Sequence, residues 1–199
     1  MIASHLVFGT YGFWLPNDPR GSWSTYLRNK KLLAFGEIVP ANTTRSIAAK
    51  PHDAARRLAA KQSLQYPPVK LTGIQALAVI KGFARAVEEN EYRVFACVIM
   101  PDHVHLVVAE HRIEPKMIIK HLKARATAQM NKENLHPFLD VPGKEKPSPW
   151  ARSGWAVFLD KESDVLRAIE YVKQNPVKDG LKPQNWSFVT PFVSNKFDR

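Results

Sequence analysis

The chain is 199 residues long and carries 29 lysines and arginines against 18 aspartates and glutamates, a formal net charge of +11. This length suits one domain with a proper core, and an apolar share of 45% excludes a disordered tail. No apolar run approaches the length of a membrane span, and the single cysteine, Cys97, excludes a disulfide framework. The first five residues lack the basic region and cleavage site of a signal peptide, so we expect a soluble protein in a reducing compartment.

The positive charge is concentrated in one part of the chain. Twelve basic residues lie between Arg20 and Arg85, opposed only by Glu37 and Asp53, so this stretch carries +10. Such a lopsided field favours a polyanion such as nucleic acid as partner, because lysine and arginine release counterions when they reach phosphates. The alternative is a solvated face that only maintains solubility. The side chains expected to contact the polyanion are Lys30, Lys31, Arg56 and Arg57.

The first half of the chain predicts one strand followed by helices. Residues 4–15 are rich in β-branched and aromatic side chains and end at a turn cluster over 16–19, which indicates a strand. Residues 20–51 show no convincing period and are predicted to be an irregular basic loop. Two helices are then predicted, over 53–65 and over 72–89, each with a capping residue at its start.

The second half predicts a hairpin, a helix, a strand and a final helix. Its predicted elements are strands over 92–100 and 103–109, a helix over 114–133, a loop over 134–149, a strand over 154–159 and a helix over 162–174. Pro101 and Asp102 favour a tight turn inside the hairpin, and Asn175-Pro176 is expected to stop the last helix. Hairpin strands separated by helices predict an α+β fold, an antiparallel sheet with helices packed on one face.

Two histidines begin the second hairpin strand. Strand side chains alternate between faces, so His103 and His105 point the same way, about 7 Å apart at Cα. Two imidazoles on one face can converge on a metal ion. The alternative is a pair of half-buried histidines bonded to backbone. A histidine-triad hydrolase would need a third histidine at the next alternating position, where the chain has Val107.

The last predicted helix carries a tyrosine on a polar face. Arg167, Tyr171 and Asn175 follow one another at i, i+4 spacing. A tyrosine beside a buried helical stripe is, taken alone, typical of a core anchor. A basic protein with a metal-type histidine pair makes it a candidate nucleophile instead.

Four blocks of the sequence, in this order along the chain, resemble a known family. Residues 10–21 (TYGFWLPNDPRG) are similar to the first strand and turn of the REP-associated tyrosine transposases. Residues 98–106 (VIMPDHVHL) resemble the His-hydrophobic-His (HUH) motif of single-tyrosine transposases, and 154–160 (GWAVFLD) follows in family order. Residues 171–181 (YVKQNPVKDGL) resemble their tyrosine-helix signature.

The resemblance implies a ferredoxin-like antiparallel sheet, the HUH endonuclease fold, in a single domain over 1–199. The segment at about 20–70 does not align and is interpreted as a basic elaboration. The resemblance also implies a metal-dependent DNA transposase and endonuclease that cleaves and rejoins single-stranded or hairpin DNA through a 5′-phosphotyrosine. It implies a prokaryotic protein of the cytoplasm and nucleoid, and leaves monomer and homodimer open.

The family's site residues carry over position by position. Tyr171 would be the nucleophile, and His103, His105 and Asn175 would hold Mg²⁺ or Mn²⁺. Gln174 is a weaker candidate for the amide ligand. Further DNA contacts are expected from Arg167, Lys173 and Lys178.

Two other functions stay open on the sequence alone. A transposase descendant that only binds nucleic acid would bind tightly and with salt sensitivity, but would form no covalent adduct. A phosphoesterase with an HxH metal site would use activated water and turn over without a covalent protein–DNA species.

Overall fold

A computed structural model describes residues 1–22, 30–40, 47 and 50–193. Its elements, in chain order, are strand β1 (Ala3–Gly9), a 3-10 helix (Lys30–Phe35), helices α1 (Ala54–Gln62) and α2 (Gly73–Asn90), strands β2 (Val94–Ile99) and β3 (His103–Ala109), helix α3 (Pro115–Lys132), strand β4 (Trp155–Leu159) and helix α4 (Glu162–Lys178). No helix within these ranges combines the length and apolar character that crossing a bilayer requires.

The four strands form one antiparallel sheet in the order β2-β3-β1-β4. Strand β1 therefore lies in the middle, between β3 and β4. With α2 and α3 as the crossover helices, the order β1-α2-β2-β3-α3-β4 is the ferredoxin-like βαββαβ arrangement. The predicted α+β class with an antiparallel, ferredoxin-like sheet is confirmed.

Helices cover both faces of the sheet. Leu6 on β1 and Leu106 on β3 are buried in the core that α2 and α3 share with one face. Val107, on the opposite side of β3, is buried with Val165 and Val172 of α4. The expectation that helices pack on one face holds for the two crossover helices, and α4 corrects it by covering the other face. Period-2 alternation consequently places His103 and His105 on the α4 side.

Helices α2 and α3 are in contact at a residue that lacks a side chain. A Cβ atom on Gly82 of α2 would lie 2.6 Å from the backbone nitrogen and Cα of Ala126 on α3. Backbone atoms of a packed helix cannot move aside as a flexible side chain can. Glycine at position 82 therefore sets the distance between these two helices.

The largest differences from the predicted elements are in strand β1, the basic segment after it and helix α4. Strand β1 ends at Gly9 rather than residue 15, because the chain turns through Gly12, whose φ of +78° suits glycine. The segment predicted to be irregular contains the 3-10 helix, while its residues 23–29, 41–46, 48 and 49 lie outside the described part. Helix α4 continues past Pro176, since later N–H groups, such as that of Leu181, bond back to its last carbonyls.

Candidate active site

The two histidines of the predicted metal pair lie together at the start of β3. Their ring centroids are 4.8 Å apart, with the planes nearly perpendicular. His105 is almost fully buried, whereas His103 keeps part of its side chain exposed, next to the Pro101-Asp102 turn. The strand geometry predicted from the HxH spacing is confirmed.

His103 is held from two sides. Its Nδ1 lies 2.8 Å from Oδ1 of Asp102, close enough for the ring N–H to donate to the carboxylate. The ring of Phe13 stacks on it with centroids 4.9 Å apart and planes 16° apart. Gly9 pairs with His103 across the β1–β3 ladder, and a Cβ there would come within 2.5 Å of the Phe13 ring. A glycine opposite His103 thus makes room for Phe13.

A third histidine, His5 on β1, joins the pair. Its Nε2 lies 3.0 Å from Nδ1 of His105, and the two rings stack with centroids 5.2 Å apart. The ladder pairs His5 with Val107 and Val7 with His105, so the two histidines are diagonal neighbours on one face. No motif in the sequence singles out His5, because its only signal is its place on the first strand, and local patterns do not determine the register that brings it to β3.

Burial keeps two of the three imidazoles neutral. It lowers the pKa of His5 to about 4. It also lowers the pKa of His105 well below the usual value, with the neighbouring His103 and His5 adding to the shift. For Asp102, burial alone would raise the pKa, but the hydrogen bond from His103 and the charges of His103 and two lysines lower it overall. Near neutral pH the site therefore contains uncharged ring nitrogens beside one carboxylate.

Tyr171 on α4 lies against these histidines. Its ring makes edge contacts with His105 at 5.6 Å and with His5 at 5.9 Å between centroids. The tyrosine is 40% exposed, so a substrate can approach it from solvent. The Nζ of Lys178 lies 5.5 Å from the centre of its ring. The candidate nucleophile and the histidine pair, 66 or more positions apart in sequence, thus meet on one face of the sheet.

The two candidate amide ligands have different surroundings. Asn175, one turn after Tyr171, is half-buried, and its Nδ2 is a buried atom without a hydrogen-bond partner in the described part of the chain. Gln174 is exposed, and its amide donates to Glu170 on the outside of α4. A divalent cation would bind the amide oxygen and not the Nδ2 donor. Because the side chain of Gln174 is already engaged with Glu170 on the outside of α4, Asn175 is the better placed of the two to offer its Oδ1.

The residues present fit a divalent cation. Within the described ranges no three side chains of His, Cys, Asp or Glu form a metal site by themselves, so a cation held by His103 and His105 would need a further ligand, for which Asn175 is the candidate. Each histidine of the pair already engages Nδ1 with a protein partner, Asp102 or His5. Such second partners are typical of metal-ligating histidines, because they orient the ring and fix which nitrogen stays free.

The predicted DNA-binding residues on α4 lie on its exposed surface. Lys173 is exposed, and Arg167 is largely exposed while forming an ion pair with Asp164. Lys178 is exposed as well and lies near Tyr171. Their geometry is compatible with phosphate contact next to the tyrosine, and their role stays a prediction.

The basic stretch is divided between surface and interior. Lys30 and Lys31 are exposed on the 3-10 helix. The Arg56 guanidinium donates to the carbonyl of Phe35 and so ties α1 to that helix, and the neighbouring Arg57 is partly buried.

Arg20, the first residue of the stretch, is nearly buried. Its guanidinium donates through Nε and Nη2 to the carboxylate of Asp18, at 2.8 and 2.7 Å. It also lies 3.8 Å from the centre of the Trp14 ring. Part of the positive charge therefore stabilises the fold instead of facing a partner.

The family model described as "Transposase IS200 like" matches residues 71–175, just over half of the chain. The chain belongs to the IS200-like transposase family. The matched range contains Tyr171, Asn175 and both histidines of β3. His5 and Phe13, which contact that pair, lie outside it.

One curated relative is similar to about half of the chain. A Haemophilus influenzae protein assigned as a REP-associated tyrosine transposase is 26% identical over 100 residues, covering 49% of this chain. The chain spans 57% of the length of that relative.

Two solved structures resemble this chain in the path of the backbone. A REP-associated tyrosine transposase bound to a REP hairpin has a TM-score of 0.48 at 11% identity, covering 97% of this chain and 93% of its own. A Deinococcus radiodurans protein assigned as a transposase has a TM-score of 0.41 at 12% identity, covering 85% and 88%.

Proposed function

We propose that this IS200-like transposase cleaves and rejoins single-stranded or hairpin DNA through a 5′-phosphotyrosine at Tyr171. The observation that carries the proposal is the edge contact between the rings of Tyr171 and His105, 5.6 Å between centroids. It brings a partly exposed phenol beside an imidazole pair that is oriented by hydrogen bonds on one face of the sheet. A tyrosine that served only as a core anchor would not need to leave 40% of its surface exposed.

The reaction is a transesterification at phosphorus. The phenolic oxygen of Tyr171 attacks the scissile phosphate as its proton leaves, and the bond from phosphorus to the 3′ oxygen breaks. That oxygen takes up a proton and becomes a free 3′ hydroxyl, while the 5′ phosphate stays on the tyrosine. Because the phosphodiester energy is retained in the new bond, attack by a 3′ hydroxyl reverses the step and joins strands.

A free phenol has a pKa of about 10 and is a weak nucleophile without help. Mg²⁺ or Mn²⁺ held by His103, His105 and Asn175 would polarise the phosphate and neutralise developing charge. Lys178, whose Nζ is 5.5 Å from the centre of the Tyr171 ring, supplies a cation from the protein itself.

Formation of a covalent adduct tests the proposal. Incubate the protein and Mn²⁺ with an end-labelled pool of random single-stranded and hairpin oligonucleotides, and resolve the products on a denaturing gel. We expect a shifted protein–DNA band that Tyr171→Phe abolishes. Tyr66→Phe is the matched control and should keep the band, because within the described residues its hydroxyl accepts a hydrogen bond from Gln65 at the surface and contacts neither histidine of β3.

The alternatives give different results in this assay. Salt-sensitive binding without any adduct would favour a protein that only binds nucleic acid. Cleaved DNA without a covalent species would favour metal-activated water. An adduct that survives Tyr171→Phe would contradict the assignment of the nucleophile.

A further inference from the structure

We propose that His5 is a positioning residue for His105. In this assignment His5 accepts a hydrogen bond from Nδ1–H of His105, and so keeps Nε2 of His105 as the nitrogen with a free lone pair. The inference rests on the proposed function, because it concerns how His105 is prepared for a divalent cation. The family-model match begins at residue 71 and does not include His5.

The chemistry of imidazole limits the contact to two arrangements. A neutral ring has one N–H donor and one acceptor nitrogen. If His5 donated from Nε2, then Nδ1 of His105 would be the acceptor and its Nε2 would carry the proton. A protonated Nε2 has no lone pair for a cation. Only the arrangement in which His105 donates, across the observed 3.0 Å, leaves Nε2 free.

The arrangement of the neighbouring histidine supports this choice. Nδ1 of His103 lies 2.8 Å from the Asp102 carboxylate, which can only accept at neutral pH, so that nitrogen carries the proton. In the neutral form of His103, Nε2 is then the nitrogen with the free lone pair. With His5 as acceptor, both rings are held through Nδ1 and both offer Nε2. The two positioning partners come from different elements, the β2–β3 turn and strand β1.

His5 is itself held firmly enough to position another ring. The antiparallel β1–β3 ladder fixes its backbone as the diagonal neighbour of His105. Its ring stacks on His105 with centroids 5.2 Å apart, and it makes an edge contact with Tyr171 at 5.9 Å between centroids. A change at position 5 therefore reaches both the candidate ligand and the candidate nucleophile.

The tautomer of His105 is measured directly in the metal-free wild-type protein. Nitrogen-15 NMR of histidine-labelled protein distinguishes a protonated ring nitrogen from an unprotonated one. We expect His105 with a proton on Nδ1 and none on Nε2. A proton on Nε2 of His105 overturns the inference, whether or not any variant folds.

Metal affinity supplies the second readout. In His5→Phe, which keeps a stacking ring but loses the acceptor, we expect the dissociation constant for Mn²⁺ to rise about 10- to 100-fold by calorimetry. His5→Gln should recover much of the affinity, because its amide oxygen can accept the same hydrogen bond. The matched control is His121→Phe on α3, where the hydrogen bond lost within the described residues is the one to the hydroxyl of Tyr92. It should leave the affinity unchanged.

Failure of this inference differs from failure of the proposed function. Wild-type affinity in a folded His5→Phe variant, from a protein that forms the Tyr171 adduct, overturns the role of His5 alone. If His5→Phe does not fold, a folded His5→Gln variant with affinity as poor as that of His105→Ala overturns it too. A wild type that binds no Mn²⁺ and forms no adduct removes both proposals.

Discussion

The Nε2 atom of His5 lies 3.0 Å from Nδ1 of His105, although the two residues are 100 positions apart and belong to different strands. This contact ties the first strand of the sheet to the HUH pair. Tyr171, on the helix that follows the last strand, contacts the rings of both histidines. The candidate site is therefore built from both ends of the chain and its middle, and its assembly depends on the whole sheet.

Substitutions of Asn175 and Gln174 are expected to affect Mn²⁺ affinity differently. Asn175→Leu removes the half-buried amide at nearly constant volume, and we expect Mn²⁺ affinity to fall about tenfold or more. Gln174→Leu should leave the affinity unchanged, because that amide donates to Glu170 on the exposed side of α4. Calorimetric titration of both variants checks this. A loss confined to Gln174→Leu would exchange the two assignments.

Substituting Lys30 and Lys31 tests whether the basic stretch over 20–85 binds DNA. If both contact phosphates, the double variant Lys30→Gln/Lys31→Gln should reduce the slope of log affinity against log salt by about 0.7 per contact. Fluorescence titration with a labelled single-stranded oligonucleotide at several salt concentrations measures this slope. Lys81→Gln is the control, since Lys81 is already paired with Glu133 at 2.8 Å. An unchanged slope in the double variant would leave these lysines as a solvated face.

Substituting Gly82, which lies away from the candidate site, is expected to lower the free energy of unfolding. Gly82→Ala would place a methyl group 2.6 Å from the backbone of Ala126, so we expect a loss of about 1–3 kcal/mol in the free energy of unfolding. Gly73→Ala, at the start of the same helix, meets no atom within 4 Å and should be neutral or slightly stabilising. Urea denaturation of both variants measures the difference. Equal stabilities would contradict close packing at Gly82.

Lys123 predicts a dependence of stability on alkaline pH. Burial lowers its pKa from 10.5 to about 8, while its ammonium donates to the carbonyls of Ala151 and Ser153. Between about pH 8 and 10.5 the unfolded chain binds more protons at this residue than the folded chain does, so its contribution to stability rises with pH. Cys97 opposes this trend, because burial raises the pKa of its thiol.

Comparing the stability of wild type with that of Lys123→Met separates the contribution of Lys123 from that of other titrating groups. The stability of wild type relative to Lys123→Met should increase from pH 7.5 to about 10, as followed by urea denaturation. Lys120→Met, at an exposed position of the same helix, should show no such change relative to wild type. Parallel curves for wild type and Lys123→Met would contradict the lowered pKa.

Much of the fold follows from local patterns. Apolar spacing and turn residues predicted all four helices and the β2–β3 hairpin, because such signals depend on neighbours within a few residues. The missed boundaries depend on other factors. Strand β1 ends early where Gly9 leaves room for Phe13 to stack on His103, and α4 continues through Pro176 because later N–H groups satisfy its last carbonyls.

The sequence by itself determined the chemical inventory of the candidate site: two histidines with one residue between them, a tyrosine and an amide one helical turn later. Those spacings are short, so strand and helix periodicity dictate their relative positions. Only the tertiary structure decided that α4 covers the face of the sheet where the histidines point, and that His5 reaches His105. Both depend on strand register and on which face a helix buries, and these are determined by long-range packing that no local pattern contains.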